Sequence, residues 1–431
     1  MKNKGKKGLY IVIITLIFIA LAACLIAIVL FPGKLENLFR PASLWDDETE
    51  QSDLWTSETK DTKEAESKFL ESDTPDSETE PLETEAQSIA ETEPLDYINY
   101  LEEGGIFELP ISGASGYAAI QLNMRAEPDT NADLVKELAP GSGFTILSES
   151  EDGDWWNVDT DGTTGWVYNR YCMINLPDVV PSIVYDDTNS YSSIFRTSGK
   201  DIPEITGEQL YNVYTYNERL GYDEYIMPVL YNMAKKVCSA QQKALSEGNT
   251  LVIYETYRPY EVQKKVVDQL TALTETDSQV SAGINTAPWS MEWFINTSIS
   301  NHQKGYAMDV SMAKVDAVEI KLSGDYGYKD VTEYTLYSMP TAMHELSNAA
   351  VSMSQPVASK DKEAWKSVEP AESMNKEALL LRQYCTDAGL TPLASEWWHF
   401  NDLDCAADID GKNPAGQFYI EACYSHMAES E

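Results

Sequence analysis

Apolar and polar residues change their spacing several times along the chain, and each change marks an element. Residues 222–245 carry apolar side chains at helical intervals, and Gly248-Asn249 supplies a stop before Leu251-Val252-Ile253-Tyr254, which reads as a buried strand. Tyr257-Arg258-Pro259 ends that strand, and Pro259 suits the first turn of a helix reaching about residue 273. Residues 306–312 alternate as a strand does, residues 376–388 are amphipathic with Gly389 as a C-cap, and residues 393–401 read as a further strand. This irregular succession predicts an α+β domain rather than a doubly wound one. Between residues 116 and 176 the pattern is shorter. Alternation over 118–125 gives way to Glu127-Pro128-Asp129, and the turns Asp152-Gly153-Asp154 and Asp161-Gly162 bracket Trp155-Trp156-Asn157-Val158. With Gly165-Trp166-Val167 following, these pieces predict a small all-β barrel, with at least one tryptophan in its core.

The opening of the chain obeys neither pattern. Lys2, Lys4, Lys6 and Lys7 precede 23 uncharged residues from Leu9 to Phe31, long enough to span a bilayer as a helix with its basic end inside the cell. A lipoprotein box at Leu21-Ala22-Ala23-Cys24, anchoring the chain through Cys24, is the alternative. The apolar run continues for seven residues past Cys24, where a mature lipoprotein turns polar, and this favours the uncleaved helix. Between Asp46 and Asp96, nineteen acidic residues face three lysines among Ser, Thr and Pro. Such a segment buries too little apolar surface to offset its ordering entropy and reads as a disordered spacer. The formal charge of −39 over 431 residues argues against nucleic-acid partners, and the length accommodates two folded units.

Candidate chemistry lies in two short segments, Ser300-Asn301-His302-Gln303-Lys304-Gly305-Tyr306-Ala307-Met308-Asp309 and Glu396-Trp397-Trp398-His399-Phe400. A catalytic zinc needs three protein ligands and an open position for water. His302, Asp309 and His399 would supply nitrogen and oxygen ligands, and Glu396 would take the proton of the water. Arg258 would hold a carboxylate or a developing oxyanion. Either spacing alone is common, and a histidine is more often a packed or surface residue. Five cysteines lie beyond the first segment without zinc-ribbon spacing. Cys238 and Cys385 read as buried thiols, and a Cys405 to Cys423 disulfide is open.

Taken together, these segments resemble the zinc-dependent D-alanyl-D-alanine dipeptidases and carboxypeptidases of the vancomycin-resistance type. The family pattern Ser-x-His-x-x-Gly-x-Ala-x-Asp fits Ser300, His302, Gly305, Ala307 and Asp309; Glu-x-Trp-His fits Glu396, Trp398 and His399; Tyr-Arg-Pro fits Tyr257-Arg258-Pro259. The resemblance implies Zn²⁺ on His302, Asp309 and His399, Glu396 as base, Arg258 assisting the transition state, and Ser300, Tyr257, Trp398 and His344 near substrate. His344 aligns with a position where the dipeptidases carry an Asp for the substrate's amino group, although an ordinary surface-loop histidine is the plainer reading. Leu122 to Arg125, Pro128, Leu138 to Gly141, Trp155 to Val158 and Gly165 to Val167 resemble bacterial SH3-like domains, which implies cell-wall targeting.

The expected organisation is therefore a basic tail (1–8), a transmembrane helix (9–31), a disordered acidic linker (32–103), an SH3-like domain (104–176), an α+β zinc peptidase domain (177–408) and an extension (409–431). The expected function is a membrane-anchored, extracytoplasmic carboxypeptidase acting on peptidoglycan stem peptides. Its alternatives are a dipeptidase of the same family and a non-catalytic wall-binding or sensory protein.

Overall fold

The short alternating segments become seven strands: β1 (Ser115–Ala118), β2 (Leu122–Arg125), β3 (Leu134–Leu138), β4 (Gly143–Glu149), β5 (Trp155–Thr160), β6 (Thr163–Tyr168) and β7 (Cys172–Asn175). Alternation along β5 buries Trp156 and Val158, and Trp155 is buried at its start, while Trp166 on β6 is half-buried. The computed structural model describes residues 96–412 and 417–428. The expected tail, transmembrane helix, Cys24 and linker residues 32–95 lie outside the described residues. Among those that are described, no helix is long and apolar enough to cross a membrane.

The chain continues through the helical turn α1 (Leu176–Val179), β8 (Val184–Tyr185), the small hairpin β9 (Arg196–Thr197) and β10 (Lys200–Asp201), and a second hairpin, β11 (Tyr214–Asn217) and β12 (Tyr222–Tyr225). The helix expected from residue 222 therefore begins late. Tyr222 pairs with Asn217 across Gly221 (φ +78°), Pro228–Leu230 forms β13, and only Tyr231–Ser246 is helical, as α2. Pro228 lacks the N–H that a helix through it would need. It sits instead on an edge strand, where no donor is missed, and β13 pairs with β7 of the barrel.

That pairing joins the barrel sheet to the rest of the fold. Trp156 meets the ring of Tyr231 edge-on at 4.6 Å, and the Tyr231 hydroxyl donates to Glu149. One continuous apolar core runs beneath both.

The second sheet has the order β17-β18-β15-β14-β8, built from β14 (Asn249–Glu255), β15 (Ala307–Ser323), β17 (Thr391–Pro392) and β18 (His399–Asn401), with β16 (Tyr326–Leu336) pairing the far half of β15. Every residue of β14 is buried, because β8 and β15 flank it, which explains its unbroken apolar run. Helices α3 (Tyr260–Thr276), α4 (Ser278–Ile284), α5 (Met291–Phe294), α6 (Lys376–Asp387) and α7 (Leu403–Ile409) complete the fold. The strand expected over 393–401 is confined to His399–Asn401, preceded by the two-residue β17.

Two further expectations are corrected. The acidic linker was expected to remain disordered to residue 103, yet Ile98 bridges Tyr326 and Tyr100 packs edge-on against that ring at 5.6 Å. These apolar residues are outvoted in a composition average but not in space. Cys405 and Cys423 are both free thiols. Cys405 on α7 contacts Asp402, whereas Cys423 lies between Ser115 and Ser425 beside the barrel.

Candidate metal centre

Strand register builds the site. Asp309 on β15 stands directly opposite His399 on β18 and opposite Glu255 on β14, so three functional side chains share one rung across the sheet. His302 reaches the same point from the turn before β15. Gly305 closes that turn at φ +77°, and a Cβ there would lie 2.6 Å from the Met173 sulfur. Glycine is thus required by both the backbone and the barrel strand packed on it.

The two histidines are turned by their outer nitrogens. His302 Nδ1 donates to the Thr256 carbonyl (2.9 Å), and His399 Nε2 donates to Asn401 Oδ1 (3.1 Å). The Asn401 amide is oriented by Asn301 Nδ2, which donates to the same oxygen (2.8 Å). Carbonyl oxygens only accept, so His302 Nε2 and His399 Nδ1 present lone pairs inward. These face each other at 3.2 Å, with Asp309 Oδ1 2.8 Å from His399 Nδ1 and Asp309 Oδ2 3.5 Å from His302 Nε2. Three acceptors converge, an arrangement that a shared cation relieves, as does a proton on either ring when no ion is bound. Their separations bracket the roughly 3.4 Å edge of a tetrahedron around an ion bonded at about 2.1 Å. Two imidazoles, one carboxylate and no thiolate fit a catalytic Zn²⁺, and hydrogen-bonded outer nitrogens are the usual support for such ligands.

Glu396 Oε2 lies 3.7 Å from His399 Nδ1. Burial pushes its pKa up to about 8, the negative charges of Asp309 and Glu255 add to this, and His399 and Arg258 oppose it. Asp309 shows the reverse balance. Burial works against its charge, but the surrounding histidines hold it well below the usual carboxylate range. Arg258 is clamped from both sides: Nε donates to Glu255 Oε2 (2.7 Å), Nη2 donates to the same carboxylate, and Nη1 donates to Gln263 (2.6 Å). Its guanidinium stacks over Phe195 at 4.9 Å.

A cavity of about 140 Å³ opens onto this centre, with Arg258, Ser300, His302, His344, Glu396 and Trp398 in its walls. Ser300 Oγ is buried there without a partner. Tyr257, expected near substrate, is absent from the cavity wall. Its ring stacks on Phe418 at 5.5 Å and its hydroxyl donates to the Phe418 carbonyl, so the residue faces the closing segment instead. His344 is fully buried, not a surface-loop residue. Sequence reasoning missed Thr256, Glu255, Gln263 and Asn401. Asn401 carried a usable signal, because residues two apart on a strand share a face with His399.

Residues 215–415 match the family described as D-ala-D-ala dipeptidase, and residues 120–172 match the bacterial SH3 domain. The chain therefore matches a bacterial SH3 domain followed by a D-ala-D-ala dipeptidase domain, in the order its motifs imply. No curated protein matches the chain. Among solved structures, a chain from work on an NlpC/P60 endopeptidase of Photobacterium damselae subsp. piscicida matches at 9% identity and a TM-score of 0.14. The match spans 52% of this chain and 66% of that one, just under two thirds, and a TM-score this low carries no argument.

Proposed function

We propose that this protein is a Zn²⁺-dependent D-alanyl-D-alanine carboxypeptidase that removes the terminal D-Ala from peptidoglycan stem peptides. The observation that carries the reading is the convergence of the inward nitrogens of His302 and His399 on Asp309, with Glu396 3.7 Å away. His302, Asp309 and His399 would hold the ion, which when bound would polarise the scissile carbonyl and lower the pKa of water to about 7. Glu396 accepts the proton of the attacking water and returns it to the leaving D-Ala nitrogen as the C–N bond breaks. Arg258, fixed by Glu255 and Gln263, faces the negative charge that develops on the carbonyl oxygen.

The choice of a polymeric substrate rests on two supports. The SH3 domain shares a sheet with the catalytic domain through the pairing of β13 with β7, which supports a module acting together with the peptidase on a polymer. The wall at His344 also offers an imidazole whose Nε2 is committed to Asp309, where a dipeptide's free ammonium would need a carboxylate. The basic and apolar first 31 residues support a membrane anchor with the catalytic domain outside the cell. The family description favours the dipeptidase as the second reading.

The test is to give the zinc-loaded full chain a muramyl pentapeptide and, separately, free D-Ala-D-Ala, and to identify the products. Release of one D-Ala from the pentapeptide supports the carboxypeptidase. Cleavage of the free dipeptide alone moves the protein to the dipeptidase, and wall binding without any turnover moves it to a sensory role.

A further inference from the structure

Asp309 uses its two oxygens differently. Oδ1 lies 2.8 Å from His399 Nδ1, whereas Oδ2 is 3.1 Å from Nε2 of His344 and 3.5 Å from both His302 Nε2 and Arg258 Nη2. A carboxylate oxygen only accepts from a ring N–H, so that nitrogen of His344 carries its proton and donates. The other ring nitrogen, Nδ1, is buried without a partner, so no second acceptor competes for the ring's orientation.

The ring is locked by packing. It stacks on Phe195 at 4.3 Å with planes 13° apart, and Trp398 stands edge-on at 6.2 Å. The backbone of His344 is left-handed at φ +59°, a conformation that a non-glycine residue holds only when its surroundings compel it. The loop is pinned by backbone bonds on either side, from Arg196 N to the His344 carbonyl (3.0 Å) and from Leu346 N to the Arg196 carbonyl (2.7 Å). A strained backbone, a stacked ring and a single directed hydrogen bond all act on one atom, Asp309 Oδ2.

We propose that His344 is a positioning residue for Asp309: its hydrogen bond to Oδ2 fixes the plane of the carboxylate, so that Oδ1 stays against His399 and Oδ2 stays within reach of His302. The inference rests on the metal reading of the centre. Without His344, the Asp309 carboxylate is free to turn about its side-chain bond, which loosens the ligand triad. Hydrogen-bonded partners of metal ligands typically account for 10–100-fold in metal affinity or activity, which sets the expected size of the effect.

The experiment compares the full-length native chain with His344→Leu and His344→Gln. Zinc affinity is read by competition with a chelator, ligand geometry by the visible spectrum of the Co²⁺-loaded protein, and folding by thermal denaturation. The expected result is roughly a 10–100-fold loss of zinc affinity and an altered Co²⁺ spectrum for His344→Leu. Most of both should return in His344→Gln, whose side-chain N–H can still donate to Oδ2. Folded His344→Leu with native zinc affinity and a native spectrum overturns the proposal while leaving the metal centre intact. A loss in Leu that Gln does not recover also overturns it, because packing would then be the cause. A native chain that takes up no zinc sinks the metal reading and this inference with it.

Discussion

Two clusters of buried charge lie in the described structure, and they are built to opposite rules. At the seam of barrel and catalytic domain, Asp178 accepts from Ser115 N (2.8 Å), Asn175 (3.1 Å) and Asn217 (2.6 Å), while Arg219 donates to the carbonyls of Pro110, Ser112, Asp178 and His426. Donors meet acceptors, and the cluster is closed. In the cleft, the donors of His302 and His399 point outward and their acceptors point at one another. Burial acts on both, lowering Arg219 to about 10 and raising Asp178 at the seam, and raising Glu396 to about 8 in the cleft. What separates a structural cluster from a chemical one is therefore the direction in which hydrogen-bonding capacity is left over, not the degree of burial.

The comparison is broken most severely by removing the proton acceptor of the cleft. Glu396→Gln should lower kcat by about 10²- to 10⁴-fold, with zinc content and thermal midpoint preserved, in steady-state assays with a stem peptide. Arg219→Ala should do the opposite. It leaves Asp178 buried without its counter-charge and should cost about 3–5 kcal/mol of stability in urea titrations, while the activity of the folded fraction is unchanged.

A third buried group sharpens the contrast through pH. Glu108 accepts from Ser182 N (2.9 Å), and burial raises its carboxyl from 4.5 to about 7 despite that bond. The folded state keeps its proton longer than the unfolded state, so this group's contribution to stability is full below about pH 4.5. It falls as pH rises toward 7 and then levels, a change of about 3 kcal/mol. Urea midpoints at pH 5 and pH 7.5 should therefore differ more in the native chain than in Glu108→Gln. The smallest effect is expected at Asn401→Leu, which removes the outer acceptor of His399 and should weaken zinc binding about 10-fold in chelator competition.

Much of the centre was legible because its residues are spaced within continuous segments. His302, Asp309, Glu396 and His399 follow from two motifs, and all four reach one cavity. What escaped depends on chain reversals. Glu255 and Gln263 flank Arg258 in sequence, but only the pairing of β14 with β15 and the return of α3 bring them onto its guanidinium. Tyr257 belongs to the same motif, yet it turns to Phe418, more than 160 residues away along the chain. The helix misread from residue 222 shows the same limit. Periodicity there was real for residues 231–246, and the strand pairings before Tyr231 are set by partners at 214–217 and 173–175.

The most direct test is the metal content of the full chain, native and His399→Ala, after equilibration with zinc and exhaustive dialysis. One zinc per native chain and close to none in the folded variant is the predicted result. Equal metal content in the two, or none in the native chain, would contradict the assignment of the converging acceptors as a metal centre.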